Sequence, residues 1–276
     1  LEIGEGGVSV RVERVPDATL EVRREGAVGT IRYRERAHFF RGLGLLVEAS
    51  AGGETFSITE TPQFTMNGPM IDVSQGNAVP TVETIRRLLR RMALMGLNTL
   101  MLYAEDSYEV AEQPYFGYMR GRYSQDEVRA IDDYADSLGI EQIPCIQTRS
   151  HLRDVLKWDA YADVRDDDET LLVGAARTYE VIEQLIVAAS TPVRTKRIHI
   201  GMDEAWHLGL GQYLVENGYR SKFEIMNQHL NRVMEIVRRH GLEPMIWSDM
   251  YFRAGSRTGE YYDVDCEIPQ AVIDGV

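Results

Sequence analysis

Cysteine is scarce. In 276 residues the only thiols are Cys145 and Cys266. Two cannot build a disulfide framework, so a reducing, cytoplasmic compartment is expected. No apolar run reaches the ~18 residues of a membrane span. Positive charge is also short, and the formal net charge is −13. Phosphate backbones and anionic membrane surfaces would be repelled, so neither nucleic acid nor a membrane is expected as a partner. The first residues carry no basic start and no apolar core, so no signal peptide is expected there. The missing initiator Met suggests a processed or excised chain. A phosphate-binding G-x-G-x-x-G loop is lacking as well: the first strand of the repeating part runs into Asp72-Val73-Ser74-Gln75-Gly76. What is left, with 44% hydrophobic and 26% charged residues, is the composition of an ordinary globular protein.

Residues 8–35 alternate in the manner of strands: Val10 and Val12 with Arg11 and Glu13, then Ile31 and Tyr33 with Arg32 and Arg34. His38 to Ala49 places its apolar residues on one side of a helix, and Phe56 and Ile58 add another strand. These make a small α+β domain over residues 1–62, near the lower size limit for a core of its own. From 63 to 276 the rhythm is strand, helix, strand, helix. Strands are expected at Pro69–Val73, Leu97–Tyr103, Ile140–Gln147, Arg197–Met202 and Leu242–Trp247. Ser124 and Glu127 form a capping box for one helix. Asp166 to Glu169 read as the acidic opening of another. The stretch around Tyr261 and Tyr262 reads as loop.

Repeated strand–helix units with apolar strands imply a parallel sheet covered by helices. Polar or aromatic residues end every strand: Asp72, Asp106, His151, Asp203-Glu204 and Trp247 to Asp249. That is the rim pattern of a (β/α)8 TIM-type barrel. About five of its eight units can be counted, so the barrel is expected to be incomplete and the chain a fragment of a larger enzyme. Its open edges suggest a homo-oligomer or completion by other chain.

The chemistry concentrates at Arg197 to Glu204. Ile198, Ile200 and Met202 alternate along a buried strand that ends in two carboxylates, which need partners or work to do. Neighbours on an extended strand point in different directions, so one can donate a proton while the other orients a substrate. The competing reading is an acidic helix N-terminus. Taken alone, His151 reads more readily as a satisfied core histidine than as a site residue. His199, Asp203 and His207 stand at steps of four, but a strand does not bring them together, and no metal is expected.

Ile198-His-Ile-Gly-Met-Asp-Glu204 resembles the H-x-G-x-D-E signature of glycoside hydrolase family 20, the β-N-acetylhexosaminidases. Ile143 to His151 resembles that family's third-strand segment with its active-site His. Met245-Ile-Trp-Ser-Asp249 resembles the fifth, with a substrate-facing Trp, and Met70-Ile-Asp-Val-Ser74 the first. Leu208-Gly-Leu-Gly211 is most similar to the bacterial intracellular branch. The resemblance implies retaining hydrolysis of terminal β-linked N-acetylglucosamine or N-acetylgalactosamine, with the sugar's own 2-acetamido group as nucleophile and no cofactor. It implies Glu204 as general acid and Asp203 as the group that holds the acetamido nitrogen. His151 and Asp106 would form a relay behind the acid. Trp247 would wall the sugar ring, with Asp249 beside it on the substrate side. Asn67 stands where the family carries an Arg that grips sugar hydroxyls, and an amide grips a diol more weakly. The family's acetamido-binding Tyr belongs to later strands. Two alternatives are a non-catalytic carbohydrate-binding or scaffold barrel, and a glycosidase that uses two distant carboxylates.

Overall fold

A computed structural model of the chain describes residues 7–16, 19–258, 260, 263 and 265–275. The loop expected at Tyr261 and Tyr262 lies outside the described residues. The first elements are β1 (Ser9–Arg14), β2 (Leu20–Glu25), β3 (Val28–Tyr33), α1 (Arg36–Ser50) and β4 (Thr55–Glu60). The strands form one sheet in the order β1-β3-β2-β4. β1 runs parallel to β3, and the other pairs are antiparallel. Period-two alternation puts Leu20, Val22 and Ile31 on the same face, where Leu45 and Leu46 of α1 cover them. Gly42 lets the helix come close: a Cβ there would stand 2.6 Å from Ile31 Cγ2. β1 alternates too, yet all six of its residues are exposed. Its pattern forecasts the strand but contributes no core.

The second sheet takes its strands in chain order, β5-β6-β7-β8-β9. The elements are β5 (Met70–Asp72), α2 (Val82–Met95), β6 (Thr99–Ala104), α3 (Gln125–Ser137), β7 (Glu141–Ile146), α4 (Arg153–Leu156) and α5 (Ala176–Ser190). They continue with β8 (Arg197–His199), α6 (Gln212–Asn217), α7 (Lys222–Arg239), β9 (Glu243–Met245), α8 (Asp249–Ala254) and α9 (Gln270–Ile273). β7, β8 and β9 pair in parallel. Sequential strands with helices between them are the arrangement of a (β/α) barrel, here five strands of it.

Local chemistry sets the helix ends. Thr81 accepts the Thr84 N–H at the start of α2, and Gly96 ends it at φ 80°. Ser124 and Glu127 exchange hydrogen bonds of 2.9 and 3.3 Å before α3, as the capping box requires. The helix expected to open at Asp166 opens instead at Ala176. Asp167 Oδ1 accepts the N–H groups of Glu169 and Thr170, and Asp166 Oδ1 accepts that of Tyr213. The segment stays a loop because its backbone pairs elsewhere: the Asp166 N–H goes to the Thr170 carbonyl, the Leu171 N–H to that of Arg149 and the Leu172 N–H to that of Val164.

The chain packs as two units. One holds residues up to Met70 with Pro80–Met101 and Ala130–Gln142; the other holds Ile71–Val79, Leu102–Arg129 and the chain from Ile143 onward. All the candidate site residues except Asn67 belong to the second. In the first, Ile31 is fully buried. Ile31→Ala should cost about 2–5 kcal/mol of stability, read as a lower urea midpoint for that unit with an unchanged slope.

Candidate active site

β8 ends at His199, and the chain beyond it is shaped by burial on both faces. Ile198, Ile200 and Met202 are all fully buried. His199, on the opposite face, accepts the Gly201 N–H at Nδ1 over 3.2 Å and packs its ring on Trp247 at 4.7 Å. Burial pushes its pKa down to about 4, so the ring is neutral. The backbone then leaves extended geometry. Gly201, Met202 and Glu204 take φ of 70°, 76° and 49°, and His151 takes 59°. For the three residues with side chains this region costs of order 1–3 kcal/mol each. Gly201 cannot carry a side chain at all: a Cβ would lie 2.1 Å from Gln147 Oε1 and 2.7 Å from the Ile146 carbonyl.

The turn brings Asp203 against Gln147, whose Nε2 donates to Oδ1 at 2.7 Å. His151 Nε2 stands 3.5 Å from Asp203 Oδ2 and 3.6 Å from Glu204 Oε2, between the two carboxylates. Burial works to raise the Asp203 pKa, but hydrogen bonds from His151 and Gln147 outweigh it and hold the group below the ordinary range. Its partnership with Asp203 raises His151 against the pull of burial, and the charges of Glu105 and Glu204 add to the effect. The two acids differ in exposure: the Asp203 side chain is 15% exposed and that of Glu204 33%. Glu204 donates its backbone N–H to Asp249 Oδ2 at 3.1 Å. Asp249 is buried, and burial raises its pKa. Trp247 donates its backbone N–H to the Gly201 carbonyl at 3.2 Å, which fixes the indole beside the turn.

The structure therefore gathers Asp203, Glu204, His151, Trp247 and Asp249. It revises one other assignment. Asp106 does not stand behind His151. It is fully buried in an ion pair with Arg120 Nε at 2.6 Å, and Arg120 Nη1 reaches Asp154 at 2.9 Å. The charge that acts on His151 from this strand end is Glu105, the neighbouring acid. Asn67 lies in the first unit, three residues ahead of β5, with its backbone N–H given to Asn98 Oδ1 at 2.8 Å. There it lines a cavity with Arg41, Glu60 and Phe64. Sequence reasoning passed over Gln147, read Tyr103 as a rim aromatic equally consistent with packing, and gave Glu105 no more than a helix-capping role. The usable signal was a polar amide directly after the apolar Ile143–Ile146 run, which must find partners once buried.

Residues 64–264 match the catalytic-domain model of glycosyl hydrolase family 20, well over half of the chain. The chain belongs to glycosyl hydrolase family 20. Human hexosaminidase D is 27% identical over 202 residues, a match covering 66% of this chain and 39% of that protein. Bos taurus hexosaminidase D is 25% identical, over 66% of this chain and 55% of its own length. This chain thus spans about half, or less, of the curated relatives it matches. Among solved structures, a Vibrio harveyi family 20 exo-β-N-acetylglucosaminidase in complex with N-acetylglucosamine superposes with a TM-score of 0.74 at 18% identity, over 87% of this chain and 46% of its own. A Streptomyces plicatus β-hexosaminidase variant in complex with its product GlcNAc gives 0.72 at 22% identity, over 89% of this chain and 54% of its own. At such identities the structural likeness speaks for the family 20 fold.

A family 20 site with this geometry holds an ionised Asp203 beside a more exposed Glu204, with a histidine able to carry positive charge between them. The Asp203–His151 attraction has a definite pH window. His151 is raised above its unfolded value of about 6.5, so its contribution is complete below that value and is lost as pH rises through the folded one. NMR titration of His151 should show this raised value, and Asp203→Asn should bring it down. An unchanged His151 titration would mean that the pair is not coupled.

Proposed function

We propose that the protein is a retaining exo-β-N-acetylhexosaminidase that removes terminal β-linked N-acetylglucosamine or N-acetylgalactosamine from oligosaccharides. The observation that carries this reading is the pairing of Asp203, kept ionised by Gln147 and His151, with the more solvent-accessible Glu204. Two adjacent carboxylates in different environments can take different roles.

In the first step Glu204 gives its proton to the glycosidic oxygen. The acetamido carbonyl oxygen attacks C1 as the C1–O bond breaks, and the bond's electron pair leaves with the aglycone oxygen. The product is a cyclic oxazolinium whose positive charge lies against the Asp203 carboxylate, which accepts its N–H. In the second step the Glu204 carboxylate takes a proton from water as that water attacks C1. The ring C1–O bond breaks, the acetamide re-forms, and the anomeric configuration is retained. His151, within reach of both acids, steadies the negative charge that alternates on Glu204. Trp247, half-buried beside the turn, offers an apolar wall to the sugar ring.

The relatives support the substrate class: those named above are hexosaminidases, and two solved neighbours hold N-acetylglucosamine. The cytoplasmic location expected from composition belongs to the same proposal, supported by two free cysteines. The alternative, a non-catalytic carbohydrate-binding scaffold, draws on Asn67, an amide standing in for the family's guanidinium. Turnover separates the two. On an aryl N-acetyl-β-glucosaminide, the whole protein should be active. Glu204→Gln should lose about 10²–10⁴-fold in kcat, and Asp203→Asn most of its rate. Equal rates in wild type and both variants would end the assignment.

A further inference from the structure

Gln147 lies directly after β7 with no exposed surface, and every polar atom of its side chain is engaged. Its Oε1 accepts the Met202 N–H at 3.3 Å. A backbone N–H can only donate, so this contact identifies which end of the amide is oxygen. The nitrogen must then face the other way. It donates to Asp203 Oδ1 at 2.7 Å and to the Tyr103 hydroxyl at 2.9 Å. Tyr103, buried and having accepted one proton, gives its own to Glu105 Oε1 at 3.1 Å. The donors therefore run in a fixed sense from Met202 through Gln147 to Asp203, and from Gln147 through Tyr103 to Glu105. Two carboxylates receive protons from a neutral bridge, and neither has to retain one of its own.

We propose that Gln147, backed by Tyr103, is the positioning residue that keeps Asp203 ionised and fixes the plane of its carboxylate toward the substrate's acetamido N–H. This rests on the roles given above to Asp203 and Glu204. Other groups face Asp203 as well. Glu204 and, from α8, Asp249 are carboxylates that oppose its ionisation, and Glu105 lies beyond the Tyr103 hydroxyl. His151 is the cation that favours it. Cys145 of β7, pushed up to about 12 by burial, and the neutral His199 of β8 carry no charge near neutral pH. Against two acids, one histidine is reinforced by one uncharged donor. An amide there supplies a hydrogen bond that does not titrate.

Gln147→Glu keeps the shape and the acceptor for Met202 but sets a second carboxylate against Asp203, and two such groups must share a proton. The acidic limb of the kcat–pH profile should move up by about one pH unit or more. Gln147→Leu removes the donor without adding charge, and Tyr103→Phe removes only its support. Both should shift the limb less, in that order. A role in packing alone would lower kcat at every pH and leave the limb in place, and that result overturns the proposal. The second readout does not need turnover: ¹³C-carboxyl NMR of Asp203, assigned by its loss in Asp203→Asn. Titration at higher pH in Gln147→Glu supports the network even if no substrate is hydrolysed, in which case only the proposed function fails. An Asp203 titration unmoved in Gln147→Glu and Gln147→Leu overturns the network whatever the activity.

Discussion

A carboxylate that is 85% removed from water has to be compensated where it stands, and Asp203 is compensated from two sides, by the Gln147 amide and the His151 ring. Stranding such a group without partners would cost several kcal/mol. The unusual backbone of the region follows from this requirement. Gly201 is bare because Gln147 fills the space its Cβ would take, and Met202 turns its N–H back to the same amide. Left-handed φ values at Met202, Glu204 and His151 are the strain that remains. The packing that tolerates it is Ile198, Ile200 and Met202, fully buried on one face, and the buried His199 against the half-buried Trp247 on the other.

Once Asp203 is fixed, its neighbour is freed to behave differently. Glu204 keeps about a third of its side chain in solvent, while its backbone is anchored by Asp249. One acid is held and the other is open to solvent, so the two stand in different environments. The strain and the chemistry share the same residues, as is usual where a site is pre-organised by its surroundings.

Much of the fold was readable because the two periods are clean. Alternation placed Leu20, Val22 and Ile31 in a small sheet, and the strand–helix rhythm gave five parallel units in chain order. The run from Ile198 to Glu204 pointed to the pair that the structure puts beside His151. What failed was decided by register or by local competition. At Glu105-Asp106 two adjacent acids differ by one position. The buried Arg120 claims Asp106, which leaves Glu105 to act on His151, and nothing in the pattern says which acid the arginine takes. At Asp166 the acids looked like a helix start because composition does not reveal that the backbone beyond them pairs with Arg149 and Val164. Gln147 was passed over because an uncharged amide carries no chemistry of its own; its importance lies wholly in whom it contacts.

The account turns on Asp203 meeting the nitrogen of a cyclised acetamido group. A crystal structure of the whole protein with an N-acetylglucosamine-thiazoline, which mimics the oxazolinium, addresses that directly. The expected result is the thiazoline nitrogen in hydrogen-bond contact with Asp203, its anomeric carbon beneath Glu204 and its ring against Trp247. A thiazoline bound elsewhere, or no binding at millimolar concentration, would contradict it.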